Sequence, residues 1–296
     1  MVSAVLLGVV LLSPGFQQTD TTIAVRSGAR MEVRNIEGSI HVSTWRQDAV
    51  RIRADDGGAF QVESSGAVVR VRPEQGRWRR RAEGGRERYQ WNDYDDGPVH
   101  FRIQVPPYVA LTLSGAESDI TVSGTTANIS IDTQEGAVVI NGGGGRIVVN
   151  SVEDAVQISG ARGRVDVSAG DGDVVLRDIV GEVSVQSIDG DVVMSGIESR
   201  SVEVSTVDGD IRYSGSIREG GRYVLSTHDG DVTLTVPPDA SADVTVANFQ
   251  GGFETTFPIV LRESQHQRLR FTLGAGGATV ILEAFDGDVY LRRGRN

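Results

Sequence analysis

The 296-residue sequence contains no cysteine. That excludes disulfides, thiolate nucleophiles, cysteine-ligated zinc and a lipid-modified cysteine anchor. It also contains no lysine, all 29 basic residues being arginine. Proline (8 residues) and aromatics (6%) are scarce, long Leu- or Ala-rich stretches are missing, and no amphipathic helical period follows the N-terminus. The formal charge of -11 argues against a nucleic-acid partner. No phosphate loop, dinucleotide fingerprint or Gly-x-Ser-x-Gly elbow is present.

What remains is glycine, 37 residues of it, set among recurring Val and Ile. That mixture favours strands and turns. The one apolar run, Ala4 to Leu12, has nine residues. It is too short to span a bilayer but has the length of a signal-peptide core. No basic residue precedes it and no Ala-x-Ala site follows, so a buried N-terminal strand is the competing reading. Residues 1–18 are read as a signal peptide. This predicts export to the periplasm, envelope or exterior, with membrane association at most peripheral.

Five segments share one motif: DGDVVL from Asp171, DGDVVM from Asp189, DGDIRY from Asp208, DGDVTL from Asp229 and DGDVYL from Asp286. Aligned on the residue after the glycine, Asp119, Ala137, Ala155, Asp173 and Asp191 fall eighteen apart. Asp210 follows by nineteen, Asp231 by twenty-one, and Gly252 by twenty-one in a weaker copy. A fixed period marks stacked supersecondary units. Each period holds two short apolar-x-apolar strands, such as Val174/Leu176 and Val183/Val185. Period-two alternation sends both members of each pair to one face. One coil cannot bury four aliphatic side chains alone, whereas a stack can. The expected fold is all-β: a single-stranded parallel β-helix or solenoid of ~18-residue coils with two short strands each. The handedness of parallel crossovers predicts a right-handed coil. About seven coils at ~4.8 Å spacing give a regular part about 34 Å long. The extra residues near Ser216 to Gly221 are expected in a corner loop.

The chain divides into residues 1–18 (signal peptide), 19–102 (N-terminal strands or cap), 103–255 (regular coils) and 256–296 (closing strands). Pro106/Pro107 and Pro237/Pro238 mark strand entry at irregular coils. Within the cap, residues 73–98 read as a charged loop between two strands, with six Arg between Arg77 and Arg88. The alternative is a mobile binding loop, because Arg, Trp and Tyr are contact-rich. Its contact candidates are Trp78, Arg79, Arg80, Arg81, Tyr89, Trp91 and Tyr94.

The EVRNIEGSIHV-TW segment, the serial S-x-DGDV coils and the closing GG-A-x-V-x-L-x-A-x-DGDVYLR resemble a bacterial adhesin-type family of unknown function (domain of unknown function 4097). Its members are Gly-rich β-solenoids of exported or envelope proteins. The resemblance covers roughly residues 20–293 and implies no catalytic residues. Bactofilin-like polymer-forming solenoids are more distantly similar.

Three chemistries compete. Asp171/Asp173, Asp189/Asp191, Asp208/Asp210, Asp229/Asp231 and Asp286/Asp288 form carboxylate ladders that are weak calcium candidates. The GGxGxD nonapeptide of calcium-binding rolls is missing and Ala replaces Asp at 137 and 155, so turn chemistry is the favoured reading and no cofactor is expected. A ladder without a cation must splay to solvent or pair with Arg. Glycan cleavage needs paired carboxylates beside aromatic or basic groups; the coils offer few outward aromatics, and His41, His100, His228 and His266 are scattered. His228 replaces Ile188 or Val207 as a turn-flanking residue. The favoured class is interaction, by a non-enzymatic module holding an envelope protein or glycan. Outward Val139, Val175 and Val193 form a candidate stripe. Open solenoid ends or a sheet face would serve homo-oligomers.

Overall fold

The computed structural model describes residues 20–55, 59–74, 77–83, 86–92, 97–265 and 268–294. The signal-peptide segment and Tyr94 lie outside the described residues. Among the described residues apolar-x-apolar alternation becomes strand, and 25 strands join one hydrogen-bonded network. The solenoid expectation holds. Each rung runs along one strand, turns at the glycine corner and returns along a second. Val183 stacks on Val165 and Val202, and Val192 on Val174 and Ile211, all in parallel register. The inward pairs are essentially solvent-free: Val174, Leu176, Val185 and Val192 are fully buried. At ~1.5–3 kcal/mol per buried aliphatic side chain, this shared column is the main favourable term. Parallel ladders also satisfy the backbone groups of every inner rung.

The extra residues in the later coils fold over buried tyrosines. Tyr213 and Tyr223 meet edge-to-face, with centroids 6.1 Å apart. The Tyr213 hydroxyl donates to the Ser216 carbonyl at 3.1 Å. The Tyr223 hydroxyl donates to the Ser199 carbonyl and accepts the Arg218 amide. The nineteen-residue spacing enters between Glu198 and Val202, since Val180 pairs with Glu198 at an offset of eighteen and Val183 with Val202 at nineteen.

The ends depart from simple repetition. Gly252 continues the sequence period after Asp231, but its strand does not stack on that coil. The last coil, Thr279–Asp286 with Val289–Arg293, lies between them. It pairs with Arg222–Asp229 and Val232–Val236 on one side and with Ala242–Gln250 and Phe253–Thr255 on the other. The other end mirrors this. Arg30–Thr44 lies between Ala110–Ser123 and a split rung made of Val68–Pro73 and Val99–Val105. The parallel column therefore extends beyond residues 103–255 in both directions.

Antiparallel strands then cover most of the ladder ends. Phe60–Ser65 covers Val68–Pro73, and Ala49–Asp55 covers Val99–Val105 and is itself covered by Asp20–Ala24. At the far end Arg268–Leu273 covers Ala242–Gln250 and is followed by Leu261–Gln265. The remaining edge, Phe253–Thr255, has three residues, too short to template another chain readily.

The 73–98 segment is not a plain loop. Arg77–Glu83 and Arg86–Asn92 form an antiparallel hairpin, with Trp78 opposite Trp91 and Arg80 opposite Tyr89. It replaces the glycine corner of the split rung, between Pro73 and Val99.

Candidate functional site

The glycine corners draw on three residue types. Two positions before the first aspartate, a buried hydroxyl donates to that residue's carbonyl at some corners, Thr206 to Asp208 at 3.1 Å and Thr227 to Asp229 at 3.1 Å, whereas Ala169 and Ala284 take that place before Asp171 and Asp286. The glycine follows at positive φ, +116° at Gly190 and +142° at Gly287. A Cβ at Gly287 would stand 2.0 Å from the Gly230 carbonyl oxygen, so both the dihedral and the stacking demand glycine. The second aspartate then turns its carboxylate onto the next rung. Asp173 accepts the Asp191 amide at 3.0 Å, Asp191 the Asp210 amide at 2.9 Å and Asp210 the Asp231 amide at 2.8 Å. Arg212 bridges Asp191 and Asp210 at 2.6 and 2.5 Å. Burial raises the Asp191 carboxyl, but the Asp210 amide and the Arg212 guanidinium outweigh it and hold the group below its ordinary range. These carboxylates close the corner. Asp171, Asp189, Asp208 and Asp229 keep exposed side chains at the solvent edge. Among the described residues, no group of three or more His, Asp or Glu is placed to hold a metal.

Val139, Val175 and Val193 share one outward face, where Gln157 separates Val139 from Val175, but each is half-buried. The more exposed apolar side chains sit at the corner, immediately before the Asp-Gly step or, at Phe249, before Gln250-Gly251. Ile188 (61% exposed), Val207 (54%), His228, Phe285 (41%) and Phe249 occupy successive rungs. The His228 and Phe285 rings stack at 4.7 Å, and Phe285 and Phe249 at 5.4 Å. Val207, His228 and Phe285 continue the outward phase of their strands, so alternation and the turn-flanking place of His228 were its signals.

A second cluster was not visible in sequence because it joins distant segments. On the outer face of the N-terminal end, Ala49–Asp55, Val99–Val105 and Arg30–Thr44 lie side by side. Their outward side chains line a groove of about 670 Å³: Ser39, His41, Ser43, Arg51, Arg53, Asp55, His100, Arg102 and Gln104. Two of the scattered histidines, His41 and His100, thus line one groove. Ser39 and His100 share a hydrogen bond at 3.0 Å (Oγ to Nδ1), and Asp55 stands opposite His100. The row has the residue types of a hydrolytic triad, but Arg102 holds the Asp55 carboxylate at 2.6 Å and the neighbouring strand amides face their ladders. The donor set suits binding.

A family model described as Toastrack DUF4097 matches residues 102–292. A putative cell adhesion protein from Clostridium sporogenes is similar in structure at 10% identity and a TM-score of 0.30, over 93% of this chain and 99% of that one. A putative adhesin from Parabacteroides merdae matches at 8% identity and a TM-score of 0.27, over 93% and 95%. No curated protein matches the chain.

Proposed function

The chain belongs to the Toastrack DUF4097 family, whose matched region is the stacked-rung body, and from that premise we propose that it is an exported, non-enzymatic module that holds a protein or glycan at the cell envelope. The carrying observation is the exposed ridge Ile188–Val207–His228–Phe285–Phe249, which runs along one corner line of a rigid column. Contiguous exposed apolar surface beside polar neighbours favours an interaction site. The second aspartate of each step supports the same reading, since corner closure already occupies the carboxylates of Asp173, Asp191 and Asp210.

The test is retention of the labelled protein on isolated envelopes. Wild-type protein should be retained, and Ile188→Ser with Phe285→Ser should reduce retention about tenfold or more with the melting temperature preserved. Failure of the wild-type protein to bind envelopes, or its accumulation in the cytoplasmic fraction, would overturn the proposal.

A further inference from the structure

The groove at the N-terminal end carries a charge arrangement that the described residues do not satisfy among themselves. Arg53 stands directly opposite Arg102, and Arg102 directly opposite His41, in one cross-strand row. Like charges placed opposite one another destabilise a sheet. The nearby carboxylates do not balance them. Arg51 takes both oxygens of Asp20, at 3.2 and 2.7 Å, leaving Arg53 with a 3.6 Å contact to the same carboxylate. Arg102 has Asp55. Among the described residues, three guanidiniums therefore share two carboxylates, with two imidazoles beside them. Arg212, farther along the same sheet, is clamped by two carboxylates of its own. Between them the row runs through Thr121, Val139, Gln157, Val175 and Val193. In a chain of net charge -11, an unbalanced cationic row confined to one groove is a feature that an anionic ligand would complete.

The remaining lining selects the ligand class. Ser39, Ser43, Gln104 and His100 offer donors and acceptors for hydroxyl groups, and Asp55 is a further acceptor. Phe101 and Ile103 are buried beneath the groove, so no apolar side chain of these two is available to enter a lipid layer. Phe101, the aromatic of the lining, is buried and offers no ring for a nucleobase to stack on. Guanidiniums beside hydroxyl-binding groups match a sugar that carries a carboxylate or sulfate. We propose that this groove binds an acidic polysaccharide, with the anionic substituent between His41, Arg53 and Arg102. This deepens the envelope-interaction reading and rests on it for the biological setting.

The experiment compares the full chain with Arg53→Gln, and with Arg212→Gln as a control on the same sheet. Probes are polygalacturonate, dextran sulfate, neutral dextran, phosphatidylglycerol vesicles and duplex DNA. Binding to polygalacturonate or dextran sulfate, and not to neutral dextran, is expected. The two acidic arms tell carboxylate from sulfate. R53Q should weaken binding about tenfold, the loss of one charge-assisted contact, while R212Q leaves it unchanged. If R53Q lowers the melting temperature, His41→Gln is the second variant and should weaken binding in the same direction. Equal binding by wild type and both groove variants, or vesicles or DNA bound as tightly as the acidic glycans, would overturn the proposal. Envelope retention without acidic-glycan binding removes this inference alone; loss of both removes the envelope reading too.

Discussion

Asp288 donates its amide to the Asp231 carboxylate at 2.7 Å, although 57 residues separate them in sequence. Asp288 in turn accepts the Gly252 amide at 2.6 Å. The corner ladder thus runs Asp231, Asp288, Gly252, against sequence order. Asp231→Ala should cost about 1–3 kcal/mol, because a partly buried amide loses its acceptor. Asp231→Asn keeps a carbonyl oxygen in place and should cost much less. Chemical denaturation of the two variants checks this; equal losses would remove the ladder's role.

The lack of cysteine allows a direct test of rung order. Thr233 pairs with Tyr290, and Tyr290 pairs with Glu254. Thr233→Cys with Tyr290→Cys should form a disulfide under mild oxidation, since neighbouring parallel strands bring the backbones to ~4.8 Å. Thr233→Cys with Glu254→Cys should stay reduced. Stacking in sequence order predicts the reverse, read by a gel shift without reductant.

Gly287→Ala combines a positive φ with a Cβ 2.0 Å from the Gly230 carbonyl. Gly28→Ala also places alanine at positive φ, +85°, but nothing lies within 4 Å of its Cβ. The Gly28 variant should lose about 1–2 kcal/mol, the dihedral cost alone. The Gly287 variant should lose clearly more, because backbone must move. Melting curves of the pair separate dihedral strain from stacking.

Acid should weaken the ladder. The Gly252 amide and then the Tyr290 hydroxyl hold the Asp288 carboxyl below its ordinary range, and Asp191 is also lowered. Groups depressed in the folded state contribute stability above the unfolded value of about 3.9, and lose it as pH falls through the lower folded value. The melting temperature should be flat from about pH 6 to 5 and decline below about pH 4. Asp288→Asn should lessen that decline. An unchanged acid slope in the variant would show that Asp288 does not contribute to it.

Calcium should be without effect. The second-aspartate carboxylates already accept amides from Asp173 to Asp288. Neither chelator nor millimolar Ca²⁺ is expected to move the melting temperature; a rise with Ca²⁺ would revive the exposed first aspartates as ligands.

Much of this architecture was legible in the spacing from Asp119 to Asp231 and in the inward pairs. The order of the end rungs was not. Asp231, Asp288 and Gly252 occupy equivalent corners, and equivalent residues stack equally well on any copy. The Arg77–Asn92 hairpin was read as a loop because its charges obscured the period-two signal on which strand reading depends. Val207 and Phe285 continue the outward phase of their strands, so the ridge was open to the same alternation that marked Val139, Val175 and Val193. The groove escaped because Arg53, Arg102 and His41 meet only after three distant strands assemble, and no local motif records such a meeting.

The inserted last coil also bears on the timing of folding. A solenoid stacked in sequence order can add each rung as it emerges during synthesis. Here Ala242–Gln250 has no permanent parallel neighbour until Thr279–Asp286, made later, arrives to lie between it and Arg222–Asp229. Closure at this end joins residues far apart in the chain, a step that slows folding. The rungs from Ala110 to Val236 stack in sequence order, and it is this end of the column that stays unfinished until Thr279–Arg293 has been made.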